Sequence, residues 1–560
     1  MERLRMRGQW SEVFGPGGLP EFERMLPSVL GSVRWFADKA REIYSATVRD
    51  AIPMAHGTMR SYLTLIDVEF ADGEAKTYVV PWSFSPNRLP RADQGSGPSL
   101  VVALECEEGA KESSGFLYDA MWNEGFVSAL LDVIRSNGRI AARGDWIVGS
   151  RPDATEETEG TGGNIGTDFS GERASCHVID GEQSNSSVVV SDQVILKLYR
   201  QLGEGINPEL EIGRVLTKTR FTHSPALLGA IEYVRVDREP VTLAILQRFV
   251  RNQGDAWRFS LDAASECLHR VAAGGFSRCT GPFAAPPPLE WSEGDCPDAV
   301  RELIGSYWES AERLGTRTAD LHVALARASA NVNFAPEPAT TEYWTMRYES
   351  QAKLIERTCG LLRARRRLLP LGSRKEADCV LELESVILAQ FRHVMERDPE
   401  AWRIRCHGDY HLGQLLRCDH DFMIIDFEGE PARSLAERRT KHPAVLDVAG
   451  MLRSLHYVPY ACLDRLPSRP AAVASIPVED REAWAEWWSG WTSLQFLKAY
   501  LSGVSREELW PSDRDEARRL LISHLLEKAV YELAYELNNR PAWVGIPLKG
   551  ILKTLEFSRR

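Results

Sequence analysis

One short segment constrains the fold more than any other part of the chain. It reads Cys406-His-Gly-Asp-Tyr-His-Leu-Gly-Gln-Leu-Leu and places Asp409 and Gln414 five residues apart. An apolar run, Met423-Ile-Ile, then leads directly into Asp426. A carboxylate and an amide oxygen on one loop, followed by a second carboxylate at the end of a strand, can hold a hydroxyl group and a metal ion beside a triphosphate. The segment therefore predicts phosphoryl transfer.

This spacing is that of protein kinases, where a catalytic Asp precedes a metal-binding Asn by five residues and a second Asp follows a strand. A kinase also needs a strand lysine for the α- and β-phosphates and a helical glutamate that holds this lysine. Lys197, within an apolar run, fits the first role, and Glu211 or Glu209, at a predicted helix start, fits the second. The predicted turn Gln183-Ser-Asn-Ser-Ser, with Ser186, is a candidate to present N–H and hydroxyl groups to phosphate.

Other nucleotide and metal motifs find less support in the sequence. The segment Gly160-Thr-Gly-Gly-Asn-Ile-Gly lacks the Gly-x-Gly-x-x-Gly spacing, and there is no P-loop sequence. A zinc site is the rival interpretation of one Cys/His cluster, although its spacing fits no usual finger pattern. Its members are Cys406, His407, His411, Cys418 and His420.

Composition excludes further classes. With 67 Lys+Arg against 79 Asp+Glu, the net charge of −12 argues against a general nucleic-acid binder. No stretch approaches the roughly 18 apolar residues of a membrane span. The N-terminus lacks the pattern of a signal peptide, and the ten cysteines form no Cys-x-x-Cys pair. We therefore expect a cytoplasmic protein with reduced thiols.

Periodicity predicts an α+β chain with distinct lobes, because a strand-rich part precedes a large helical part. Two segments, 151–172 and 274–298, have the composition of exposed connections or insertions. The predicted helices of the second part are 299–330, 342–367, 375–397, 480–502 and 513–538.

The chain resembles the maltokinase family, relatives of aminoglycoside phosphotransferases with a bilobal, protein-kinase-like fold. Beyond the loop at 407–414, the matching segments are Arg34-Trp-Phe-Ala-Asp-Lys-Ala-Arg, Asn252-Gln-Gly-Asp-Ala-Trp, Arg317-Thr-Ala-Asp-Leu-His, Asp426-Phe-Glu-Gly-Glu-Pro-Ala-Arg, Asp447-Val-Ala-Gly-Met-Leu-Arg-Ser and Tyr535-Glu-x-x-Asn-Arg-Pro. The chain departs from the family pattern at Tyr410, where Leu is commoner, and at Asp38 and Ala40 in the first segment. The resemblance implies a cap domain at 1–100, an intermediate part with the kinase N-lobe at 101–255, and a helical C-lobe at 256–560.

The resemblance implies ATP-dependent phosphorylation of the anomeric hydroxyl of maltose, which gives maltose 1-phosphate for α-glucan (glycogen) synthesis. Trehalose synthase is the implied partner. Asp409 would orient the hydroxyl and accept its proton, while Gln414 and Asp426 would hold Mg²⁺. Lys197 would hold the phosphates of ATP, and backbone groups around Gln247–Phe249 would meet the adenine edge. The acceptor side would involve His411, Glu428, Arg433, Glu437, Arg438, Tyr531 and Tyr535.

The late helix adds a signal of its own, because Tyr531 and Tyr535 lie four residues apart beside an apolar face. Aromatic faces and carboxylates together suit a disaccharide. Glu532 or Glu536 would instead suit the ammonium group of glucosamine, so an amino-sugar or aminoglycoside kinase stays open as an alternative. An inactive kinase-like scaffold that binds a partner enzyme is a third hypothesis, which the intact lysine, aspartates and glutamine disfavour.

Overall fold

The computed structural model describes residues 2–558, with gaps at 7, 37, 40, 58, 87–88, 91–96, 107–113, 153–174, 180–183, 275–295, 466–476 and 506. The predicted insertions at 151–172 and 274–298 lie largely outside the described residues. The chain divides into two compact units, which consist of Met1–Thr217 with Pro225–Arg251 and of Lys218–Ser224 with Asn252–Arg560.

The first unit begins with a seven-stranded sheet in the order β1-β5-β6-β4-β3-β2, and β12 pairs with β4. All neighbours are antiparallel except β1 and β5. The sheet continues past residue 100, where the cap was expected to end. Its strands are β1 (Glu2–Met6), β2 (Ile43–His56), β3 (Met59–Phe70), β4 (Ala75–Ser85), β5 (Val101–Cys106), β6 (Gly115–Asp119) and β12 (Gln201–Leu202).

One amphipathic helix covers this sheet. In α1 (Leu19–Ser32), the buried side chains Phe22, Leu26 and Leu30 recur every four residues and so form one stripe. The ring of Phe22 meets the ring of Trp82 on β4 edge to face, at 5.3 Å between centroids. This apolar layer is the core of the cap.

A second sheet of seven strands has the order β7-β8-β13-β14-β11-β10-β9. The helix α2 (Glu124–Arg135) contacts strands of both sheets, and α3 (Pro208–Lys218) begins after β12. The strands are β7 (Arg139–Ala141), β8 (Trp146–Ser150), β9 (Cys176–Val178), β10 (Asn185–Val190), β11 (Val194–Tyr199), β13 (Leu227–Val234) and β14 (Val241–Arg248).

The hairpin of β10 and β11 places Lys197. Ser191 and Asp192 at its tip both have φ of +52°, and Val190 pairs with Val194. Two successive residues with positive φ are typical of a type I′ turn, which is closed here by the hydrogen bond from the N–H of Gln193 to the carbonyl of Val190 at 3.1 Å, within a three-residue connection. Ser191, Asp192 and Gln193 thus form the turn, and Lys197 lies on β11 between Ser187 and Ile245 of the neighbouring strands.

The second unit is mostly helical. The predicted helix 299–330 is divided at Gly305, whose φ of +70° ends α5. The helices are α4 (Ala256–Gly274), α5 (Asp298–Ile304), α6 (Tyr307–Arg327), α7 (Thr341–Arg365), α8 (Arg374–Glu382), α9 (Glu384–Arg397), α10 (Leu435–Arg438), α11 (Val445–Asp464), α12 (Val478–Val504), α13 (Arg514–Asn539) and α14 (Gly545–Ser558). On α12, four tryptophans at helical spacing are all buried: Trp484, Trp487, Trp488 and Trp491.

Two small sheets flank the Asp409 loop. One pairs β15 (Glu337–Pro338), β16 (Trp402–Ile404) and β19 (His442–Pro443), and the other pairs β17 (Leu415–Cys418) with β18 (Asp421–Ile424). The hairpin of β17 and β18 leads the chain from Gln414 to Asp426, and β18 is the strand that the sequence predicted before Asp426. The α+β prediction is confirmed, with strands in the first part and helices in the second. Within the described ranges, every helix is too short or too polar to cross a bilayer.

Candidate functional site

A buried carboxylate holds the loop that carries Asp409. Asp447, which is 1% exposed, accepts hydrogen bonds from the backbone N–H of His407 at 2.7 Å and of Gly408 at 3.0 Å. Nε2 of His322 lies 3.1 Å from the same carboxylate. Burial raises the pKa of Asp447, but His322, His407 and Gly408 together outweigh burial, so this pKa lies below its ordinary value. An ionised Asp447 therefore fixes the backbone of the loop.

His407 joins this loop to the segment that precedes Asp426. Its Nε2 donates to the backbone carbonyl of Ile425 at 2.9 Å, since a carbonyl only accepts. Its Nδ1 is then an acceptor and lies 3.4 Å from the backbone N of Asp409. Gly408, between the two residues, has φ of +84°, which glycine adopts without strain. The two predicted carboxylates are thus linked through one histidine.

Asp409 forms an ion pair with a lysine of α13. Nζ of Lys528 lies 3.1 Å from Oδ1 of Asp409. Burial raises the pKa of Asp409, but the positive charge and the hydrogen bond of Lys528 act against burial, and the pKa lies below its ordinary value. Burial lowers the pKa of Lys528, but Asp409 and Glu430 raise it further than burial lowers it. Both side chains are therefore charged at neutral pH.

His411 is neutral and lies next to Asp409. Its Nδ1 accepts the backbone N–H of Gly413 at 3.0 Å, so the proton is on Nε2, which is 3.9 Å from Oδ2 of Asp409. Burial lowers the pKa of His411, and the positive charge of Lys528 opposes the raising effect of Asp409. His411 was predicted on the acceptor side, and the structure places it against the Asp409 carboxylate.

Gln414 and Asp426, the predicted metal ligands, are in direct contact. Nε2 of Gln414 donates to Oδ2 of Asp426 at 3.1 Å. Asp426 has φ of +64°, the left-handed region that few residues other than glycine adopt. Rotation of the amide would present its oxygen beside the carboxylate, and oxygen ligands of this kind suit Mg²⁺. The pair therefore fits a magnesium site.

A polar cavity of about 360 Å³ opens beside the loop, within the second unit. Gly408 and Tyr410, the neighbours of Asp409 in sequence, both line it, and so does Lys528. The other walls come from α7, the segment after Asp426, α11 and α13. The remaining lining residues are Ser350, Lys353, Leu354, Arg357, Glu430, Ala432, Arg433, Glu437, Leu446, Asp447, Gly450, His524, Glu527 and Tyr531.

Arg433 is the predicted acceptor-side residue that is most firmly fixed in this cavity. Its Nε donates to Glu430 at 2.6 Å, and its terminal nitrogen lies 3.6 Å from Glu527. Burial lowers the pKa of Arg433, but Glu430 and Glu527 outweigh it and raise the pKa. The carboxylate of Glu527 is in turn bound by Arg347 and Gln351 of α7.

The side chains of Glu437 and Arg438 form hydrogen bonds mainly within their own segment. Glu437 lines the cavity, but its carboxylate accepts from the backbone N–H of Ser434 at 2.8 Å and from its hydroxyl at 2.7 Å, which forms a capping box. Arg438 donates to the backbone carbonyl of Arg433 at 2.9 Å, and it is not among the lining residues. The structure thus brings Arg433 and Glu437 to the cavity and leaves Arg438 behind it.

Tyr531 and Tyr535 of α13, which were both predicted to face the acceptor, have different surroundings in the structure. Tyr531 lines the cavity, and burial together with the neighbouring Glu430 raises the pKa of its hydroxyl. Tyr535 is 45% exposed, its ring lies 5.3 Å from the Arg540 guanidinium, and it does not line the cavity. Glu428, another acceptor-side prediction, is half-buried and also outside the lining.

The two carboxylates that were considered for an ammonium group have arginine partners. Glu532 accepts two hydrogen bonds from Arg453, at 2.9 and 2.7 Å. Glu536 accepts two from Arg540, at 3.0 and 2.7 Å. Neither glutamate lines the cavity.

In the first unit, Lys197 forms its ion pair with Glu209. Nζ of Lys197 lies 2.8 Å from Oε2 of Glu209, and the hydroxyl of Tyr199 donates to the same oxygen at 2.8 Å. Asn207 accepts the backbone N–H of Glu209 at 2.9 Å at the start of α3. The pairing that was left open between two glutamates therefore falls to Glu209, and the assignment of this role to Glu211 is corrected.

Two of the predicted nucleotide contacts are changed by the structure. Ser186 lies in β10 rather than in a turn, because the strand begins at Asn185, and its buried hydroxyl accepts Nε of Arg200 at 2.8 Å. The backbone N–H of Phe249 donates to the carbonyl of Gln193 at 2.8 Å, so this donor is already engaged. Gln247 lies inside β14, next to its end. Gln183 is outside the described residues.

Sequence reasoning missed Lys528 and Glu430 and gave Asp447 no role. A signal for Lys528 was present, since it is the one lysine of this helix and lies with Glu527 between the apolar pairs Leu525-Leu526 and Ala529-Val530. The zinc hypothesis finds no geometric support. Among the described residues, no three members of that Cys/His cluster lie close enough to share one ion.

Comparison with known proteins fits this geometry. Glucosamine kinase of Streptacidiphilus jiangxiensis is 26% identical over 404 residues, which cover 71% of this chain and 76% of that protein. Glucosamine kinase of Mycolicibacterium smegmatis is 23% identical over 468 residues, which cover 82% of this chain and 96% of that protein. The solved structure of glucosamine kinase in complex with glucosamine, ADP and inorganic phosphate has 20% identity and a TM-score of 0.58, and the match covers 98% of this chain and 100% of that one.

The chain therefore has the α+β, protein-kinase-like fold, with a strand-rich first part and a helical second part. Residues 30–122 match the family model of the maltokinase N-terminal cap domain. The predicted resemblance is confirmed: the chain carries a maltokinase-type cap on a kinase-like fold. These comparisons support a sugar kinase of this fold.

Proposed function

We propose that the protein is an ATP-dependent kinase that phosphorylates a sugar hydroxyl held at Asp409. The observation that carries the proposal is the position of this carboxylate. Its loop is held by the buried Asp447, and both of its sequence neighbours, Gly408 and Tyr410, line a polar cavity. An acceptor in this cavity would reach Asp409 directly.

The role of each predicted site residue follows from its charge and from the groups that it can contact. The transition state of phosphoryl transfer is loose, so a carboxylate contributes mainly by orienting the hydroxyl and by taking its proton late. An ionised Asp409 suits this work. Asp426 and Gln414 would hold Mg²⁺, which when bound neutralises charge on the phosphate oxygens. Lys197, kept in place by Glu209, would bind the α- and β-phosphates of ATP.

For the acceptor we propose maltose, phosphorylated at its anomeric hydroxyl to maltose 1-phosphate. The cavity volume of about 360 Å³ lies within the range of about 300–1,000 Å³ of small-molecule sites. Two of its four acidic lining residues, Glu430 and Glu527, are held by arginines, and Asp447 is bound by backbone N–H groups, so the cavity suits a neutral polyhydroxyl ligand. The cap domain family supports the same acceptor. A role in α-glucan synthesis and trehalose synthase as a partner belong to this proposal.

Glucosamine is the second candidate, since the two relatives described above are glucosamine kinases. Its ammonium group would need a carboxylate without a strong cationic partner. The carboxylate of Glu437, held by Ser434 rather than by an arginine, is the lining residue that comes nearest to this requirement.

The test is ATP consumption by the purified full chain with Mg²⁺ and, separately, maltose, glucosamine, glucose or an aminoglycoside. We expect the highest kcat/KM with maltose and a phosphorus NMR signal that couples to the anomeric proton. The Asp409→Asn variant is the control for contaminating kinases. Turnover of glucosamine without maltose would replace the acceptor and keep the kinase, whereas failure with every sugar would overturn both.

A further inference from the structure

Six charged side chains of alternating sign run beside the cavity, and four of them line it: Glu527, Arg433, Glu430 and Lys528. The order begins on α7 and ends at the Asp409 loop, and all six residues belong to the second unit. They are Arg347, Glu527, Arg433, Glu430, Lys528 and Asp409.

Contacts connect each of these six charged side chains to the next. Arg347 binds Glu527, whose other oxygen lies 3.6 Å from Arg433. Nε of Arg433 is 2.6 Å from Glu430, and the negative charge of Glu430 acts on Lys528. Lys528 then reaches Asp409 at 3.1 Å.

Lys528 has few conformations open to it. Its side chain is 23% exposed, its Nζ lies 5.0 Å from the ring centroid of Tyr531, and the groups that face it are Asp409, Glu430, Glu532 and Tyr531. An ammonium group has three N–H donors, so the bond to Asp409 leaves others for the cavity.

The charged or titratable groups that face Asp409 are Lys528, His411 and His407. Nδ1 of His411 accepts a backbone N–H and burial lowers the pKa of this ring, so His411 is neutral, whereas both ring nitrogens of His407 face backbone groups. Among these groups, in the described part of the chain, Lys528 is the one whose side chain donates a hydrogen bond to the Asp409 carboxylate.

We propose that Lys528 is a positioning residue for phosphoryl transfer: it holds the Asp409 carboxylate towards the acceptor cavity, and Glu430 with Arg433 holds Lys528 in place. This inference rests on the proposed kinase function. A lysine from a helix 119 residues away in sequence thus sets the geometry of the catalytic loop.

The test compares Lys528→Met with Lys528→Arg in the full chain. Methionine keeps much of the length and removes the charge, whereas arginine keeps the charge. We expect the methionine variant to lose about 10²-fold or more in kcat, with KM for ATP within about twofold, because only the acceptor step depends on Asp409. Arginine should restore at least a tenth of the wild-type kcat. Lys553→Met, a half-buried lysine of α14 paired with Glu486, is the matched control and should change neither value.

The inference would be overturned if the methionine variant kept its kcat, or if the arginine variant were as impaired as the methionine one. Activity of the wild type would still support the proposed kinase function in either case.

A thermal double-mutant cycle tests the pairing of Lys528 with Asp409 without any turnover. Asp409→Asn should lower Tm in the wild-type background, because the half-buried Lys528 loses its ion-pair partner, and should lower it less or not at all beside Lys528→Met. Additive changes would overturn the inference whatever the acceptor proves to be.

Discussion

Nε2 of His322 lies 3.1 Å from Oδ2 of Asp447, and both side chains are fully or almost fully buried. Two residues of separate sequence motifs thus form one buried pair behind the Asp409 loop. Because Asp447 also binds the N–H groups of His407 and Gly408, the pair links α6 and α11 to the loop backbone. The motifs that resemble a family signature have a physical role here, which is to hold the loop.

Replacement of this anchor should therefore affect both stability and turnover. In Asp447→Asn, an amide NH₂ would face backbone donors, so we expect a loss of about 1–3 kcal/mol in the free energy of unfolding. Turnover should fall with it. Asp464→Asn is the control, since this exposed aspartate of the same helix accepts only an indole N–H at 3.1 Å among the contacts described. Thermal unfolding of both variants checks the expectation, and equal Tm values would contradict it.

Asp409→Asn should reduce turnover by about 10²–10⁴-fold, the usual scale for loss of a positioned proton acceptor. The affinity for ATP should change little, because an orienting role concerns the acceptor. Steady-state kinetics with saturating sugar, together with calorimetric titration of ATP, separate the two effects. Near-native turnover would show that another group orients the hydroxyl.

Asp426→Ala should abolish magnesium-dependent binding of ATP, because its carboxylate would be the main charged ligand of the metal. Gln414→Ala should weaken this binding less, since an amide oxygen is a neutral ligand. Titration of ATP with and without Mg²⁺ measures both variants. The metal assignment fails if Asp426→Ala keeps the magnesium dependence of the wild type.

The two tyrosines of α13 form a matched pair for the acceptor site. Tyr531→Ala should raise KM for the sugar several-fold, because this ring lines the cavity, while KM for ATP stays the same. Tyr535→Ala should leave both values near wild type, since Tyr535 is exposed and lies against Arg540. Steady-state kinetics decide between this division and a stripe in which both tyrosines bind sugar.

The buried His524 makes stability depend on pH. Burial, followed by the charge of Arg347, lowers the pKa of His524 to about 4. An unfolded histidine titrates near 6.5, so the unfolded chain binds more protons between these values. Neutral His524 therefore makes its full contribution to the free energy of unfolding above about pH 6.5. As the pH drops towards 4, the free energy of unfolding falls by up to about 3 kcal/mol.

Thermal unfolding between pH 7.5 and 4.5 tests this effect in His524→Gln, whose Tm should fall less steeply on acidification. His269→Gln is the matched control, because His269 makes the same contact to the carbonyl four residues earlier, at 2.7 Å against 2.8 Å, but is exposed. Parallel curves for His524→Gln and the wild type would refute the assignment.

The sequence determined the α+β class, most helices and the two metal-ligand candidates. These features depend on short-range spacing: the interval from Asp409 to Gln414 and the apolar run before Asp426 lie within one loop and one hairpin. The type I′ turn before Lys197 is equally local. Chemistry that acts within some twenty residues can be predicted from their order.

Side-chain direction was less predictable. Glu209 and Glu211 are two residues apart on α3, and positions at this separation point about 200° apart, so only one can face Lys197. The helix start decided which one. Tyr531 and Tyr535 share a stripe, yet the cavity ends between them. Ser186 was expected in a turn, but pairing with β11 extends β10 through it.

Tertiary structure alone decided which distant groups meet. Lys528 and Asp409 are 119 residues apart, and no periodicity or spacing in the chain predicts their ion pair. The partners of Glu527, Glu532 and Asp447 likewise come from other helices. Sequence order fixes which chemical groups are present and their local spacing, whereas the packing of helices determines which charge lies beside which, and that arrangement sets the ionisation and position of each group.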